Sequence, residues 1–308
     1  MGLGAHGAEE AMARTACVIG LGSMGFGAAV SLVRAGFEVR GVDVRPDSLE
    51  RLAAEGGIPV ETPAEGARGA DAVFTFVVNA EQTDRVLFGE DGAAAATEGV
   101  VIACATVPPL YAEALGARLM ERGLQMIDAP VSGGAAKAAA GEMTIMASGR
   151  PEAFARAEPF LQAVAARVYR LGDAPGMGSR VKMINQALAG IHIAAACEAM
   201  ALGLRAGIDP QVLYEVISNS AGASWMFQNR VPHILDGDYA PRSAVDIFVK
   251  DLGIVLETGK ALTMPLPVTA TAHQLFLAAS AKGLGREDDA ALVKVYADTA
   301  GIELPKKA

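Results

Sequence analysis

The stretch from Gly176 to Ala206, GMGSRVKMINQALAGIHIAAACEAMALGLRA, constrains this chain more than any other. It opens at Gly178-Ser179 and meets no proline or turn cluster until Gly207-Ile208-Asp209-Pro210, which predicts one continuous helix. At 1.5 Å per residue such a helix is a rod of roughly 45 Å, long enough to join two domains rather than serve one. Lys182, Asn185 and Gln186 fall at i, i+3 and i+4, so an ammonium and two amides share one face near its start. That face can hold a carboxylate or alkoxide while the lysine moves a proton; a solvated polar stripe is the alternative for the same spacing. The apolar part, Ala187 to Leu204, is interrupted by His192 and Glu198 and fits a helix buried in protein better than one in lipid.

With 308 residues, 52% hydrophobic and 20% charged, there is material for two domains with substantial cores. A net charge of −9 argues against a nucleic-acid surface, while leaving room for a local cationic pocket. Cys17, Cys104 and Cys197 lie far apart in apolar segments and are expected reduced and buried, in a cytoplasmic protein. His6, His192, His233 and His273 do not cluster either, so no metal site is expected. Residues 1–13, MGLGAHGAEEAMA, lack the basic start and apolar run of a signal peptide and are expected to form a disordered extension.

Before the long helix the chain alternates. Thr15 to Gly20 is a short apolar run followed by GLGSMG and the helical pattern FGAAVSLVRAGF. Strand, glycine loop and helix give Gly20-x-Gly22-x-x-Gly25 its meaning: a tight turn, close approach to a pyrophosphate, and helix packed on strand. Leu21, Ser23 and Met24 complete that loop, and its anion would sit on the helix N-terminus. The second strand, Glu38 to Val42, ends at Asp43, where a carboxylate can accept from adenosine ribose hydroxyls and repel a 2′-phosphate. NAD is therefore expected over NADP, with Arg45 as the residue that could accommodate the phosphate instead. Further strands are expected at Ala72 to Val78, Val100 to Ala103, Leu124 to Ile127, Glu142 to Ser148 and Arg167 to Leu171, with helices between them. This is the pattern of a doubly wound parallel sheet, with Val78, Asn79, Thr106 and the segment after Asp128 at its carboxyl edge. Helix capping is the alternative role for Asn79, Thr106 and Asp128. Ser132, Gly133 and Gly134 put a hydroxyl and two glycine N–H groups in sequence, a cradle for a carboxylate or a plain glycine turn.

With GLGSMG, DAPVSGG and G-x-x-x-K-x-x-N in this order, the chain resembles the β-hydroxyacid dehydrogenase family over about residues 14 to 300. The resemblance implies a Rossmann-type NAD-binding domain (14–175) joined by the long helix to an all-α substrate and oligomerisation domain (176–308). It implies that Gly20, Gly22, Gly25 and Asp43 bind the dinucleotide, with Thr106 near its nicotinamide end. Ser132, Gly133 and Gly134 would hold the substrate carboxylate, with Lys182 as acid/base. Phe248-Val249-Lys250-Asp251-Leu252 is similar to the family's KDL segment, which would bring Lys250 to the cofactor site. Where the family usually has two asparagines this chain has Asn185-Gln186; Asn185 is expected to orient the reacting oxygen and Gln186 another hydroxyl. The run from Ser224 to Gly253, with VVNAEQ, is similar to the L-threonate dehydrogenase subgroup, which oxidises a four-carbon sugar acid at C2 with NAD. A 3-hydroxyisobutyrate dehydrogenase and a semialdehyde reductase are the alternatives among enzymes; a non-catalytic NAD-dependent sensor or a structural oligomerisation protein is the alternative outside them.

After Pro210, helices are expected near Gln211 to Ser218, Ala244 to Leu262, Pro267 to Ala281 and Asp288 to Thr299. The resemblance implies a homodimer or homotetramer built through this part. Asp246 and Lys250 stand one turn apart, so a surface ion pair is the plain account of Lys250. Trp225 and Phe227 are candidates for the pocket wall, with burial in the core as the other role open to them.

Overall fold

The computed structural model describes residues 14–307; the extension expected at residues 1–13 lies outside them. β1 (Thr15–Ile19) turns through the glycine loop into α1 (Gly25–Arg34), and β2 (Glu38–Val42) leads to α2 (Pro46–Ala54). Pro46 fits the first helical position because the N–H it lacks would have no helical partner there. β3 (Ile58–Pro59) and α3 (Pro63–Ala67) are short, the latter capped by Thr62, which accepts from Glu65 N. β4 (Ala72–Thr75), α4 (Ala80–Phe88), β5 (Val100–Ala103), α5 (Pro109–Met120) and β6 (Gln125–Asp128) continue the alternation. β7 (Val131–Ser132), α6 (Gly134–Ala139), β8 (Met143–Gly149), α7 (Pro151–Val164) and β9 (Ala165–Arg170) complete the sheet half.

Six strands are parallel in the order β3-β2-β1-β4-β5-β6, with helices on both faces. These six strands are the doubly wound parallel sheet expected from the sequence, and the far edge adds strands of mixed direction. There β8 runs antiparallel to β6 and to β7, and only β9 is parallel to β8. α6 is too short for a crossover, so the chain folds back along β6 instead of climbing over the sheet. β4 also stops at Thr75, short of the expected Val78, because its partner β1 ends opposite it at Ile19 and turns away at Gly20. Chain order reverses between β1 and β4, which opens a crevice at the carboxyl ends of the strands. Phe74, Leu32, Ile102 and Phe160 fill the core on one face of the sheet; Cys17, Leu87, Val101 and Leu119 fill the other.

The second half is helical: α8 (Met177–Arg205), α9 (Pro210–Ser218), α10 (Trp225–Leu235), α11 (Val245–Ala261), α12 (Pro267–Ala279) and α13 (Val293–Ala300). α10 escapes the sequence pattern because Pro232 lies inside it; Ser224 starts it by accepting from Phe227 N. The helix expected from Asp288 is a 3₁₀ turn at Asp289–Leu292 followed by α13. α8 is long and apolar enough to cross a membrane by length and composition alone. Its middle, however, forms the second core: Ile193, Cys197 and Met200 are fully buried, with Phe248, Leu252 and Phe276 in the same cluster. Gly190 lets α11 approach closely, since a Cβ there would lie 2.9 Å from Leu252 and 3.1 Å from Phe248. The start of α8 belongs instead to the sheet, where a Cβ on Gly178 would lie 2.7 Å from the Asp128 carbonyl. One rod therefore carries the polar face of Lys182 from the sheet's edge into the helical half.

Candidate active site

The glycine loop is held from both sides. Gly20 has φ +92°, and its N–H donates to Val42 O at 2.8 Å; a Cβ there would lie 2.5 Å from the Phe76 carbonyl. Leu21 is buried, and its N–H donates to Asp43 Oδ2 at 2.6 Å. Asp43 Oδ1 accepts from Arg45 N at 2.9 Å and Arg45 Nε at 3.3 Å, while Arg45 Nη2 donates to Leu21 O at 3.2 Å. Asp43 thus ties the end of β2 to the loop, and these three hydrogen bonds leave one acceptor site, on Oδ2, for a hydroxyl donor. Gly22 alone of the three motif glycines faces open space, with nothing within 4 Å of a Cβ built on it. Met24 begins α1 without a side-chain cap, Ser23 is exposed, and the first turn holds no acidic residue. Open space beside uncapped N–H groups fits a pyrophosphate, so the loop residues suit a dinucleotide.

That fit makes Gly22→Ala informative. A methyl pressed against a bound ligand costs about 1–3 kcal/mol. The variant is therefore expected to melt with the wild type yet bind NAD about tenfold more weakly by calorimetry. An equal loss of folding stability would show that Gly22 faces protein rather than ligand.

At the neighbouring strand ends, Asn79 caps α4: its Oδ1 accepts from Gln82 N at 2.8 Å, and Gln82 Oε1 accepts from Val78 N at 2.9 Å. Asn79 thus takes the helix-cap role open to it from its position, and Gln82 reaches back to the residue before the cap. Thr106 and Val78 contribute backbone carbonyls, which accept from Lys250 Nζ at 2.9 and 2.7 Å. Lys250 thereby spans from α11 to two loops of the sheet half. Its third neighbour is Asp251 Oδ1 at 2.9 Å, so the surface pair with Asp246 is not formed; Asp246 instead accepts from Ser280 Oγ at 2.6 Å. Ser132 ends β7 half-buried, followed by Gly133 and Gly134 with φ of +126° and +74°. Only glycine takes such angles without strain, and a Cβ on Gly134 would meet nothing. Trp225 is 55% exposed, and Phe227 is buried in the second core, stacked on Tyr214.

Asp128 joins these loops to α8. Its Oδ2 accepts from Gly176 N at 2.9 Å, Ser179 N at 2.8 Å and Ser148 Oγ at 3.3 Å, and its Oδ1 accepts from Ser179 Oγ at 2.7 Å. α8 has no side-chain cap of its own, since Gly176 occupies that position; a carboxylate from β6 does the work. Burial raises the Asp128 carboxyl above the usual range, against the pull of those hydrogen bonds.

One turn further along, Lys182 is buried, and burial lowers its pKa from 10.5 to about 8, with Asp251 opposing the fall and Lys250 adding to it. Asn185 Nδ2 donates to Gln186 Oε1 at 3.1 Å, and Gln186 Nε2 donates to Asp251 Oδ2 at 2.5 Å. Asn185, Gln186, Asp251 and Lys250 therefore form one connected polar group, with Gln186 and Asp251 buried, and the buried Lys182 feels the charges of Asp251 and Lys250. Asp251 has no role in the sequence reading, although its place beside Lys250 in the KDL segment is a signal; that reading offers capping as an alternative for Asp128, without identifying α8 as the helix it caps. A buried amine of lowered pKa, on one helix face with two amides, can exchange a proton with a hydroxyl or carbonyl at neutral pH.

Comparison with known proteins matches both halves. Residues 15–172 fit the NAD-binding domain of 6-phosphogluconate dehydrogenase, and residues 176–296 the NAD-binding domain of NADP-dependent 3-hydroxyisobutyrate dehydrogenase. An L-threonate dehydrogenase of Cupriavidus necator is 62% identical over 299 residues, covering 96% of this chain and all of that protein. One from Pectobacterium atrosepticum is 52% identical, covering 94% of this chain and 95% of that protein. A solved structure described as 3-hydroxyisobutyrate dehydrogenase, from Salmonella typhimurium, superposes with a TM-score of 0.88 at 52% identity, covering 92% of this chain and 99% of that one. A Rossmann-type sheet with an open glycine loop, a helical second half and near full-length likeness to such enzymes lead to one placement: the chain belongs to the β-hydroxyacid dehydrogenase family, which includes 3-hydroxyisobutyrate dehydrogenase.

Proposed function

We propose that this enzyme oxidises L-threonate at C2 to the corresponding 2-oxo acid with NAD, and that Lys182 is its general acid/base. The observation that carries the reading is the buried Lys182, its pKa lowered to about 8, on the face it shares with Asn185. Bound NAD supplies the acceptor for the hydride that leaves the carbinol carbon. Gly20, Leu21, Gly22, Ser23, Met24, Gly25 and Asp43 hold its adenosine and pyrophosphate end; Val78, Asn79, Thr106 and Lys250 frame the nicotinamide end. Ser132, Gly133 and Gly134 hold the substrate carboxylate, and Asn185 orients the reacting hydroxyl. Lys182 takes the hydroxyl proton at Nζ during oxidation and returns it to the carbonyl oxygen during reduction. Lys250, fixed to Val78 O and Thr106 O, keeps the crevice closed over these groups and excludes water.

Asp43 at the end of β2 supports NAD over NADP, and the names of the relatives from Cupriavidus necator and Pectobacterium atrosepticum support L-threonate. The Salmonella typhimurium structure, by its description, favours 3-hydroxyisobutyrate as the second reading. Copies of the chain pair through the helical half, where Ile184, Leu188, Leu202, Val212 and Val216 are all more than half exposed.

NADH formation would be followed with L-threonate, D-threonate, erythronate, 3-hydroxyisobutyrate and glycerate, each with NAD and NADP. NAD-dependent turnover of L-threonate well above the others is the expected result. Preference for 3-hydroxyisobutyrate would replace the sugar-acid reading, and tight NAD binding with no turnover on any of them would favour a sensor.

A further inference from the structure

Gln186 stands where the reading above would have an amide meet a substrate hydroxyl, yet both ends of its amide are engaged by protein. Its Oε1 accepts from Asn185 and its Nε2 donates to Asp251 Oδ2 at 2.5 Å, with Gln186 8% and Asp251 2% exposed. The other carboxylate oxygen, Asp251 Oδ1, is buried and lies 2.9 Å from Lys250 Nζ. Lys250 donates to two carbonyls, and its remaining N–H is the one left for this ion pair. A buried carboxylate near a second amine that is itself buried could also turn to that amine, and an ion pair of that kind would keep the lysine protonated. Here no carboxylate pairs directly with Lys182 among the described residues; Asp251 acts on it through space.

We propose that Gln186 is a positioning residue that clamps Asp251 by its Oδ2, keeping the carboxylate out of an ion pair with Lys182 and leaving the amine free to take the substrate's proton. The inference rests on Lys182 being the acid/base. It assigns the longer amide, in place of the family's usual second asparagine, to the catalytic group rather than to the substrate. An asparagine is shorter by one C–C bond, about 1.5 Å, and would leave a gap of about 4 Å to Asp251.

Glu215 of α9 and Glu257 and Lys260 of α11 have no ion pair among the described residues and are not among the groups that act on Lys182, while other charged groups on elements packed against α8 are taken up elsewhere. Asp128 of β6 is taken up by the helix start, and Glu113 of α5 pairs with Arg180 at 2.5 Å. Arg230 and His233 of α10 pair with Asp289 and Asp288, and His273 of α12 faces Val249 O at 3.0 Å. Asp251 and Lys250 are the charges that act on Lys182.

The test measures the Lys182 titration directly, by competitive acetylation of the protein across a pH series and mass spectrometry of the peptide that carries it. Gln186→Asn and the near-isosteric Gln186→Met are compared with wild type, each also in an Asp251→Asn background, with thermal melting as the check on folding. Both single variants are expected to raise the Lys182 midpoint by about one unit, making it about tenfold less reactive at pH 7. In the Asp251→Asn background the same substitutions should have no further effect. The acid limb of kcat for L-threonate should move by the same amount, while KM changes little. A midpoint unmoved in folded variants, with KM for L-threonate raised instead, would overturn the proposal and return Gln186 to the substrate. Failure of the wild type to oxidise any hydroxy acid would overturn the functional reading, and the labelling experiment would still decide what Gln186 does to Lys182.

Discussion

Lys182→Ala is expected to lower kcat for hydroxy-acid oxidation by about 10² to 10⁴, the range carried by a positioned acid/base. NAD affinity, set by the glycine loop and Asp43, should hold. The pH profile identifies the mechanism more sharply than the loss itself. With a pKa of about 8, roughly a tenth of the amine is neutral at pH 7. Oxidation should therefore climb with pH, reach half its maximum near 8 and level off above that, and reduction should fall across the same range, because one direction consumes the neutral amine and the other the ammonium. In the alanine variant both limbs should vanish. Turnover within a factor of a few of wild type would remove Lys182 from the mechanism.

The same burial makes a stability prediction of opposite sign. Lys182 carries a folded-state pKa below its ordinary 10.5. Between those values the unfolded chain holds a proton that the folded chain has released, so stability rises with pH across the window and the penalty is complete at pH 7. Lys182→Met, which fills the space without the charge, should be as stable as wild type at pH 7 or more stable, by up to about 3 kcal/mol in urea unfolding. A variant that is more stable and inactive cannot owe its inactivity to unfolding.

Asp128→Ala is expected to be the most damaging single change outside the hydrophobic cores. It strands the buried N–H groups of Gly176 and Ser179 together with the Ser179 hydroxyl, and it removes the cap of the longest helix. Each buried donor left unpaired costs about 1–3 kcal/mol, so a loss of at least about 3 kcal/mol is expected overall. The urea midpoint should fall with the slope unchanged. Asp128→Asn keeps one acceptor oxygen and should cost about half as much. Activity should fall beyond the loss of folded protein in both, because Lys182 lies one turn from Ser179 and follows any shift in the helix start. Stability within about 1 kcal/mol of wild type for the alanine variant would mean that Gly176 and Asp128 do not hold α8 to the sheet.

Much of the site was legible from local pattern. Gly20, Gly22 and Gly25 between a strand and a helix, and the i, i+3, i+4 face of Lys182, Asn185 and Gln186, each follow from spacing within one element. Elements shorter than one period, such as β3, β7 and α6, carry too few residues to show one, and α10 hides behind Pro232. The antiparallel return of β8 was equally hidden, since a strand's own sequence does not state the direction of its neighbour.

By itself, then, the sequence determined the alternating sheet half, the glycine loop with Asp43 at the end of β2, the unbroken rod of α8 and the residue types on its polar face. Periodicity and turn chemistry act between residues a few positions apart, and those were enough. Only the tertiary structure decided which partners these side chains took. Asp128 caps a helix that begins 48 positions later at Gly176, Lys250 reaches back 172 positions to Val78, and Gln186 closes on Asp251 65 positions away. Contacts of that range depend on how the two halves pack around α8, and burial at that junction is what separates the reactive amine of Lys182 from an ordinary surface lysine.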